Sequence, residues 1–403
     1  MRKRPPRFAG YGVALDIGTT DIKASLLDLR SKRELARANA PNEQKAFGRD
    51  VITRLYFAGK EKGLDELNRR VISVVNRLIN GLAKGASLDP RQIEEIVAVG
   101  NSVMYHLTLK IDPQSLARAP FLPAESGLKT MNAGRMGLSA REAAFTFLPN
   151  ISGFVGSDAL ASILASGIYK DSRFNIIMDI GTNGEIVLGS SERIFVASCA
   201  SGPAFEGGYI KYGMPAVEGA IIRAKAGKKG LSLKTVGGGA PRGIGGSGLI
   251  DLLSILLDKQ IITASGRMSC KKFEICSTGA RKIFIDQDDV RQAQLAKAAL
   301  ASGIEMLIRK ANVEFDDIKS MYITGTFGLG IDKVNAKKIG LIPKMMPAGR
   351  IRFLKDGALS GAKKFLLEKP RRGDVEGILS KCVHVELHKE KDFESLFTSA
   401  MSF

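Results

Sequence analysis

The 403-residue chain is poor in the residues that build disulfide scaffolds and metal clusters. It has no tryptophan, only three histidines and only four cysteines, none of them in a Cys-x-x-Cys spacing. These counts argue against a disulfide framework, a zinc finger and an iron–sulfur cluster held by four clustered cysteines. We therefore expect no iron–sulfur cluster in this chain.

Long apolar runs are also missing. The best candidate, Leu249–Leu257, is interrupted by Asp251 and is much shorter than the roughly 18–20 residues that a membrane span needs. The basic start of the chain, MRKRPPR, does not have the form of a signal peptide, because Asp16 interrupts the apolar stretch that follows it. These features predict a cytoplasmic protein with no membrane association.

Positive charge dominates the composition, with 60 Lys and Arg against 41 Asp and Glu and a formal net charge of +19. Aromatic residues make up only 6% of the chain, and no RNA- or DNA-binding signature is present, so we expect no nucleic acid partner. An acidic protein partner accounts for the charge at least as well. The hydrophobic content of 44% and the length predict more than one domain with a substantial core.

One short motif occurs twice in the same setting. Asp-Ile-Gly-Thr follows an apolar run in YGVALDIGTT and again in FNIIMDIGTN, and another apolar stretch follows each copy. Farther along each half, an apolar strand ends in glycine, at Gly100 and at Gly325. This repeat predicts an α/β chain of two pseudo-repeated lobes. The expected division is a basic arm over 1–10, a first lobe over 11–172 and a second lobe over 173–403.

Two stretches rich in small residues, Ser157–Tyr169 and Ala293–Ala311, have the composition of helices. Such residues occur on exposed helices, and they also allow a helix to approach its neighbour closely. The matched placement of the two stretches in the two halves favours close packing.

The repeated Asp-Ile-Gly-Thr turn has the chemistry of a phosphate site. Glycine permits a tight turn with exposed amide groups, threonine adds hydroxyl donors, and an aspartate at a strand end can hold a hydrated divalent cation. No GxxxxGK[ST] motif is present, which excludes a P-loop. We predict that Asp16 and Asp179 hold Mg²⁺ through water while both turns bind the phosphates of ATP. The predicted phosphate donors are Gly18, Thr19, Thr20, Gly181, Thr182 and Asn183.

Two other glycine-rich segments are candidates for contact with the nucleotide. GIGGSG at 243–248 lacks the buried strand that precedes a dinucleotide-binding loop, but an apolar, helix-like run follows it. ITGTFG at 323–328 follows an apolar strand. Each segment is either a nucleotide-binding turn or a simple tight turn. The candidate residues are Gly245, Gly246, Ser247, Gly325 and Thr326.

Phosphoryl transfer to water also needs a carboxylate that orients the attacking water. Glu185 follows the second turn, and Asp158 stands at the start of the first small-residue helix. Asp158 is explained equally well by helix capping. Glu206 either lines the nucleotide cleft or lies exposed on the surface. Asp158 and Glu185 are the predicted catalytic residues.

The order of these motifs resembles the superfamily of actin, heat-shock chaperones and sugar kinases. Longer strings resemble the reductive activators of corrinoid proteins, and the resemblance extends to about residue 360. These strings include NEQKAFGRDVITR (42–54), VGNSVMYHLTLKIDPQSLARAPFLP (99–123), PNISGFVGSDALA (149–161), DIGTNGEIVLG (179–189), SGPAFEGGYIKYGM (201–214) and GIGGSGLID (243–251).

This resemblance implies two actin-like, ribonuclease-H-like ATPase lobes around a nucleotide cleft. It also implies that ATP hydrolysis is coupled to reduction of cobalt(II) to cobalt(I) in a corrinoid protein of a methyltransferase system. Family members usually carry a ferredoxin-type iron–sulfur domain. This chain has no cysteine cluster, so either a separate protein, such as a ferredoxin, supplies the electron, or the activity has drifted from that of the family. Thr326 departs from the family pattern, where a second glycine is expected.

Two other functions are compatible with a fold of this superfamily. A small-molecule kinase would need an insert with its own polar cluster, and none is clearly marked in the sequence. A non-catalytic nucleotide switch or filament protein would polymerise with ATP. A homodimer is plausible because two-fold dimers are the commonest oligomers.

Overall fold

The computed structural model describes residues 10–48, 50–227, 230–278, 281–325, 330–368 and 372–403. They form two compact units. The first contains the chain up to Gly167 together with Gly357–Cys382, and the second contains Ile168–Asp356 together with Val383–Phe403. Two segments of the chain therefore build each unit, whereas the sequence predicts one continuous segment for each lobe.

Strands and helices are numbered along the chain. The strands are β1 Tyr11–Ile17, β2 Asp21–Asp28, β3 Arg33–Pro41, β4 Ile93–Gly100, β5 Lys129–Asn132, β6 Ala144–Phe147, β7 Asn175–Ile180, β8 Gly184–Gly189, β9 Ile194–Cys199, β10 Ala220–Gly227, β11 Gly230–Thr235, β12 Gly243–Ile244, β13 Lys272–Thr278, β14 Arg281–Asp286, β15 Ser320–Gly325, β16 Ile351–Phe353 and β17 Cys382–His384. The helices are α1 Val51–Ala58, α2 Gly63–Gly85, α3 Ser102–Leu109, α4 Ser157–Ser166, α5 Gly246–Asp258, α6 Gln287–Ala311, α7 Lys333–Lys338, α8 Gly357–Glu368, α9 Arg372–Leu379 and α10 Phe393–Ala400.

The main sheets of the two units share one topology over five strands. The first sheet has the order β3-β2-β1-β4-β6-β5, and the second has the order β16-β15-β7-β8-β9-β17. In each, a three-stranded antiparallel meander (β1 to β3, or β7 to β9) continues through two parallel strands, β4 and β6 or β15 and β16. The pseudo-repeat predicted from the sequence is therefore confirmed in strand order and direction.

Each unit has its own hydrophobic core. In the first unit, α2 packs on β2 and β3 and buries Leu67, Val71, Val74 and Leu78, which recur at the spacing of one helix face. None of the helices in the described ranges combines the length and apolar character that crossing a bilayer requires.

Small residues bring α4 and α8 into close contact, as the composition of the first small-residue stretch predicts. A Cβ atom on Gly361 of α8 would lie only 1.9 Å from the carbonyl oxygen of Ala161 in α4. Helix α4 ends at Ser166, earlier than the predicted Tyr169, because Gly167 adopts a left-handed φ of +74°.

The second small-residue stretch is longer than predicted. Helix α6 begins at Gln287 rather than at Ala293, because the side chain of Asp286 accepts the amide hydrogen bond of Asp289 at 3.3 Å and caps the helix. Gly303 of α6 faces the second sheet, where an added Cβ would lie 2.5 Å from the Cys199 sulfur.

The tight contact between α4 and α8 predicts that Gly361→Ala destabilises the protein by about 1–3 kcal/mol, because the added methyl group collides with a backbone oxygen. The matched control is Gly377→Ala in α9, where an added Cβ meets no atom within 4 Å. We expect that control to be neutral or to stabilise by about 0.5–1 kcal/mol. Urea unfolding followed by circular dichroism measures both, and equal midpoints for the two variants would contradict the close contact.

Candidate nucleotide site

The first Asp-Ile-Gly-Thr turn leaves the sheet where two parallel strands end side by side. Ile17 of β1 is in register with Gly100 of β4. A Cβ atom on Gly100 would lie 2.6 Å from the Ile17 carbonyl oxygen, so this position requires glycine. The turn is closed by the Gly18 amide, which donates to the Asp21 carbonyl at 3.0 Å.

The second turn has the same setting. Ile180 of β7 is in register with Gly325 of β15. Gly325 has φ +103°, and a Cβ there would lie 2.2 Å from the Ile180 carbonyl and 2.9 Å from Oδ1 of Asp179. The structure therefore places predicted residue Gly325 beside predicted residue Asp179. Thr326, the last of the predicted nucleotide contacts, lies outside the described residues.

The carboxylate of Asp16 acts electrostatically on that of Asp158 at the start of α4. The pKa of Asp158 is raised to about 6. Burial is the main cause and the negative charge of Asp16 adds to it, whereas the hydrogen bond from the Ala159 amide opposes the rise. The hydroxyl of Ser157 donates to the Gly100 carbonyl at 3.0 Å and accepts from the Gly100 amide at 3.1 Å, which fixes the start of α4 against the end of β4. Asp158 thus combines a position at the start of a helix with an electrostatic link to Asp16.

The two hairpins differ in the residue that lies opposite each aspartate. Asp16 pairs with Lys23 across the first hairpin, whereas Asp179 pairs with Glu185 across the second. Directly opposed residues in an antiparallel pair lie on the same face of the sheet. The second hairpin therefore places two acidic side chains on one face, and the first places an acidic and a basic one there.

Glu206 belongs to the second turn rather than to a remote surface. The hydroxyl of Thr182 donates to its carboxylate, and Glu206 is half-buried in the single-turn helix Ala204–Glu206. Ser201 supports the same turn, since its hydroxyl donates to the Gly181 carbonyl at 2.9 Å. Asn183, at the tip of the turn, is exposed.

The GIGGSG segment forms the tight start of α5. Cβ atoms on Gly246 and Gly248 would lie 1.9 Å from the Phe205 carbonyl and 2.1 Å from the Ile221 carbonyl. The Gly245 amide donates to the Ile221 carbonyl at 2.9 Å, and the Ser247 hydroxyl donates to that of Ile222 at 2.9 Å. Close packing explains the glycines. Gly246 contacts the backbone of Phe205, the residue before Glu206. The nucleotide contacts of Gly245, Gly246 and Ser247 stay a prediction.

Several residues around the first turn were not singled out from the sequence. Asn42, Arg54 and Asn101 all donate hydrogen bonds to it from their side chains. Asn42 and Arg54 begin and end the string NEQKAFGRDVITR, which is part of the resemblance but carries no recognisable motif. In the part of the chain that the structure describes, no group of three or more His, Cys, Asp or Glu residues is arranged to hold a metal ion.

Comparison with known families decides where the chain belongs. Residues 11–171 match the family model described as the RACo middle region, and residues 173–403 match the C-terminal domain of RACo, the ASKHA domain. The chain belongs to the RACo family. This result confirms the resemblance to the reductive activators of corrinoid proteins and the actin-like α/β fold.

Individual RACo-like relatives match along almost the whole chain. The corrinoid activation enzyme RamQ of Eubacterium limosum is 33% identical over 409 residues, which cover 95% of this chain and 68% of that protein. A methylated amine-specific corrinoid protein Co(II) reductase of Methanosarcina barkeri is 26% identical over 432 residues, covering 98% and 77%. The solved structure of a reductive activator for corrinoid, iron–sulfur protein superposes with a TM-score of 0.89 at 32% identity, covering 99% of this chain and 67% of that one.

The effect of the Asp16 charge on Asp158 predicts that Asp16→Asn lowers the pKa of Asp158, because it removes that negative charge. The pKa should stay above the ordinary value of 3.8, since the burial of Asp158 is unchanged. Carbon-13 NMR titration of the carboxyl groups measures this shift, with Asp28→Asn at the far end of the same hairpin as the control. An Asp158 pKa that is identical in wild type and Asp16→Asn would contradict the electrostatic link.

Proposed function

We propose that this RACo family member is an ATP-dependent activator of a corrinoid protein of a methyltransferase system. ATP binding and hydrolysis drive the reduction of the inactive cobalt(II) state to the active cobalt(I) state, and a separate electron-donor protein, such as a ferredoxin, supplies the single electron. The observation that carries the proposal is the TM-score of 0.89 with a reductive activator for corrinoid, iron–sulfur protein over 99% of this chain.

The turns support the nucleotide part of the proposal. Each unit presents an Asp-Ile-Gly-Thr turn at the same point of the same topology, with a glycine of the neighbouring parallel strand beneath it. Amide and hydroxyl groups on such turns are suited to phosphate oxygens. We assign Gly18, Thr19, Thr20, Gly181, Thr182 and Asn183 to the phosphates.

The residues present also fit a divalent cation. Asp16 and Asp158 repel each other strongly enough to contribute to the raised pKa of Asp158, and a cation beside them would offset that repulsion. Mg²⁺ prefers carboxylate oxygens and keeps several of its waters. Asp16 and Asp179 are the proposed carboxylates that hold it, and the bound ion would neutralise charge on the phosphates.

Hydrolysis requires a base that accepts a proton from water. The water oxygen forms a bond to the γ-phosphorus, the bond from that phosphorus to the oxygen of the leaving ADP breaks, and the proton passes to a carboxylate. A pKa of about 6 lets Asp158 be ionised at neutral pH and still accept a proton, so it is the proposed base. Glu185, opposite Asp179, is the other proposed catalytic carboxylate.

Coupling to the corrinoid protein needs two states of the activator with different affinities for its partner. ATP shifts the balance between them only to the extent that it binds one state more tightly. A surface of the activator that changes the ligation of cobalt in the corrinoid protein would raise the reduction potential of cobalt(II). The cost of the unfavourable electron transfer is then met by nucleotide turnover.

The proposed roles of the two aspartates predict that Asp16→Asn and Asp179→Asn each lower kcat/KM for MgATP hydrolysis by about a hundredfold or more, because each removes a carboxylate that holds the Mg²⁺ ion, and that ion neutralises the phosphates. Phosphate release measures the rate. Asp28→Asn, in the same hairpin as Asp16, should hydrolyse ATP like wild type. Hydrolysis at the wild-type rate in both site variants would refute the two-turn assignment.

The coupling predicts that a corrinoid protein from a methyltransferase system is reduced to cobalt(I) only when the activator, MgATP and a reductant are all present. The corrinoid absorption spectrum reports the oxidation state. Asp179→Asn, with reductant and ATP, should give no more cobalt(I) than a sample without activator. Equal cobalt(I) formation with and without ATP would refute ATP coupling, and hydrolysis with no cobalt(I) from any corrinoid partner would favour a kinase or a switch.

A further inference from the structure

Arg54 is a fully buried arginine directly beneath the first Asp-Ile-Gly-Thr turn. It lies in α1, has no exposed surface, and donates from Nη2 to the Thr19 carbonyl oxygen at 2.6 Å. Its other donors reach the Gly48 carbonyl at 2.9 Å, the Gln44 side-chain oxygen at 3.2 Å and the Met104 sulfur at 3.6 Å. All four acceptors are neutral. Burial lowers its pKa to about 10, and the exposed carboxylate of Asp50 partly offsets this, so Arg54 stays charged at neutral pH.

A buried charge held by neutral acceptors is costly, so this arginine is not explained by packing alone. A nearby anion would recover part of that cost. The turn above Arg54 is one of the two turns to which the proposed function assigns the phosphates.

Asn42 holds the carbonyl groups on either side of the Thr19 carbonyl. Its Nδ2 donates to the Gly18 oxygen at 2.9 Å, and its backbone amide donates to the Thr20 oxygen at 2.8 Å. Asn42 is itself fully buried and is joined to Gln44. Three successive carbonyl groups of the turn, from Gly18 to Thr20, are thus hydrogen-bonded by two buried residues. The side chains of Asn42 and Arg54 bond the first two, and the Asn42 backbone amide bonds the third.

Holding the carbonyl groups also sets the direction of the amides. The peptide bonds of this turn are trans, and in a planar trans peptide the C=O and the next N–H point in opposite directions. With the carbonyls of Gly18 and Thr19 directed at Asn42 and Arg54, the N–H groups of Thr19 and Thr20 point away from this buried group. Asn101 completes the arrangement, since its Nδ2 donates to Oγ1 of Thr19 at 2.9 Å.

We propose that Arg54, together with Asn42, is a positioning residue that fixes the Thr19 and Thr20 amides toward a nucleotide phosphate and places a positive charge behind them. The assignment rests on the proposed function, because it needs a phosphate at this turn. Lysine cannot replace the arginine, since a single ammonium group cannot span the Thr19, Gly48 and Gln44 acceptors in the geometry of a guanidinium. In the second unit, the turn is bonded by the Ser201 hydroxyl, the Gly202 amide and the Glu206 carboxylate, so the second turn serves as an internal comparison.

The test measures binding of magnesium and a non-hydrolysable ATP analogue to the full chain by titration calorimetry, and follows backbone amide resonances by TROSY NMR. For Arg54→Lys we expect Kd to rise at least tenfold, with loss of the ligand-induced shifts of Thr19 and Thr20. The shifts of Gly181 and Thr182 should persist at saturating analogue, which a general loss of structure would not allow. Asn42→Ser, which removes the Nδ2 donor to Gly18 and Gln44 but keeps the backbone amide that donates to Thr20, should weaken binding less. The control is Arg69→Lys, an exposed arginine on α2 in the same unit, which should bind like wild type.

The outcomes separate this inference from the proposed function. Wild-type affinity and wild-type Thr19 and Thr20 shifts in Arg54→Lys would overturn the positioning role and leave the proposed function standing. A wild-type chain that does not bind the analogue would overturn both. If Arg54→Lys does not fold, Asn42→Ser decides: unchanged Thr19 and Thr20 shifts in that variant would overturn the role of the buried group.

Discussion

The close approach of a strand carbonyl to a glycine on the neighbouring parallel strand is the constraint on which both turns depend. In each unit, the last residue of the first strand lies in register with a glycine, and no room remains for a side chain between them. The two strands therefore end together and the chain must turn away from the sheet at that point. Phosphate binding by these turns would depend on that backbone contact, because the contact fixes the position of each turn at the edge of its sheet.

The repeated architecture has diverged in its charges. The first turn has a buried guanidinium beneath it and a lysine opposite its aspartate. The second turn has a glutamate opposite its aspartate and another glutamate bonded to its threonine. Identical tetrapeptides thus have different charged groups around them, two basic residues at the first turn and two acidic residues at the second.

Features set by neighbouring residues could be predicted from the sequence. The two turns, the glycine ends of β4 and β15, and the helix after GIGGSG all follow from local patterns of apolar and turn-forming residues. The side chains that hold the first turn by hydrogen bonds could not be predicted in this way. Asn42, Arg54 and Asn101 bond to residues 24, 35 and 82 positions away, and such contacts leave no periodicity to recognise. The sequence allows two interpretations of Glu206 for the same reason, since its bond to Thr182 spans 24 positions.

The return of α8 to the first unit has a consequence for synthesis of the protein. Its Gly361 packs on Ala161 and its Leu366 lies over Gly12 of β1, so the sheet that bears the first turn is covered by a helix made nearly two hundred residues after α4. While the ribosome makes the second unit, the first has an uncovered apolar face. Such a face favours aggregation and chaperone binding until the helix arrives. The order of translation therefore delays completion of the first unit until most of the second has emerged.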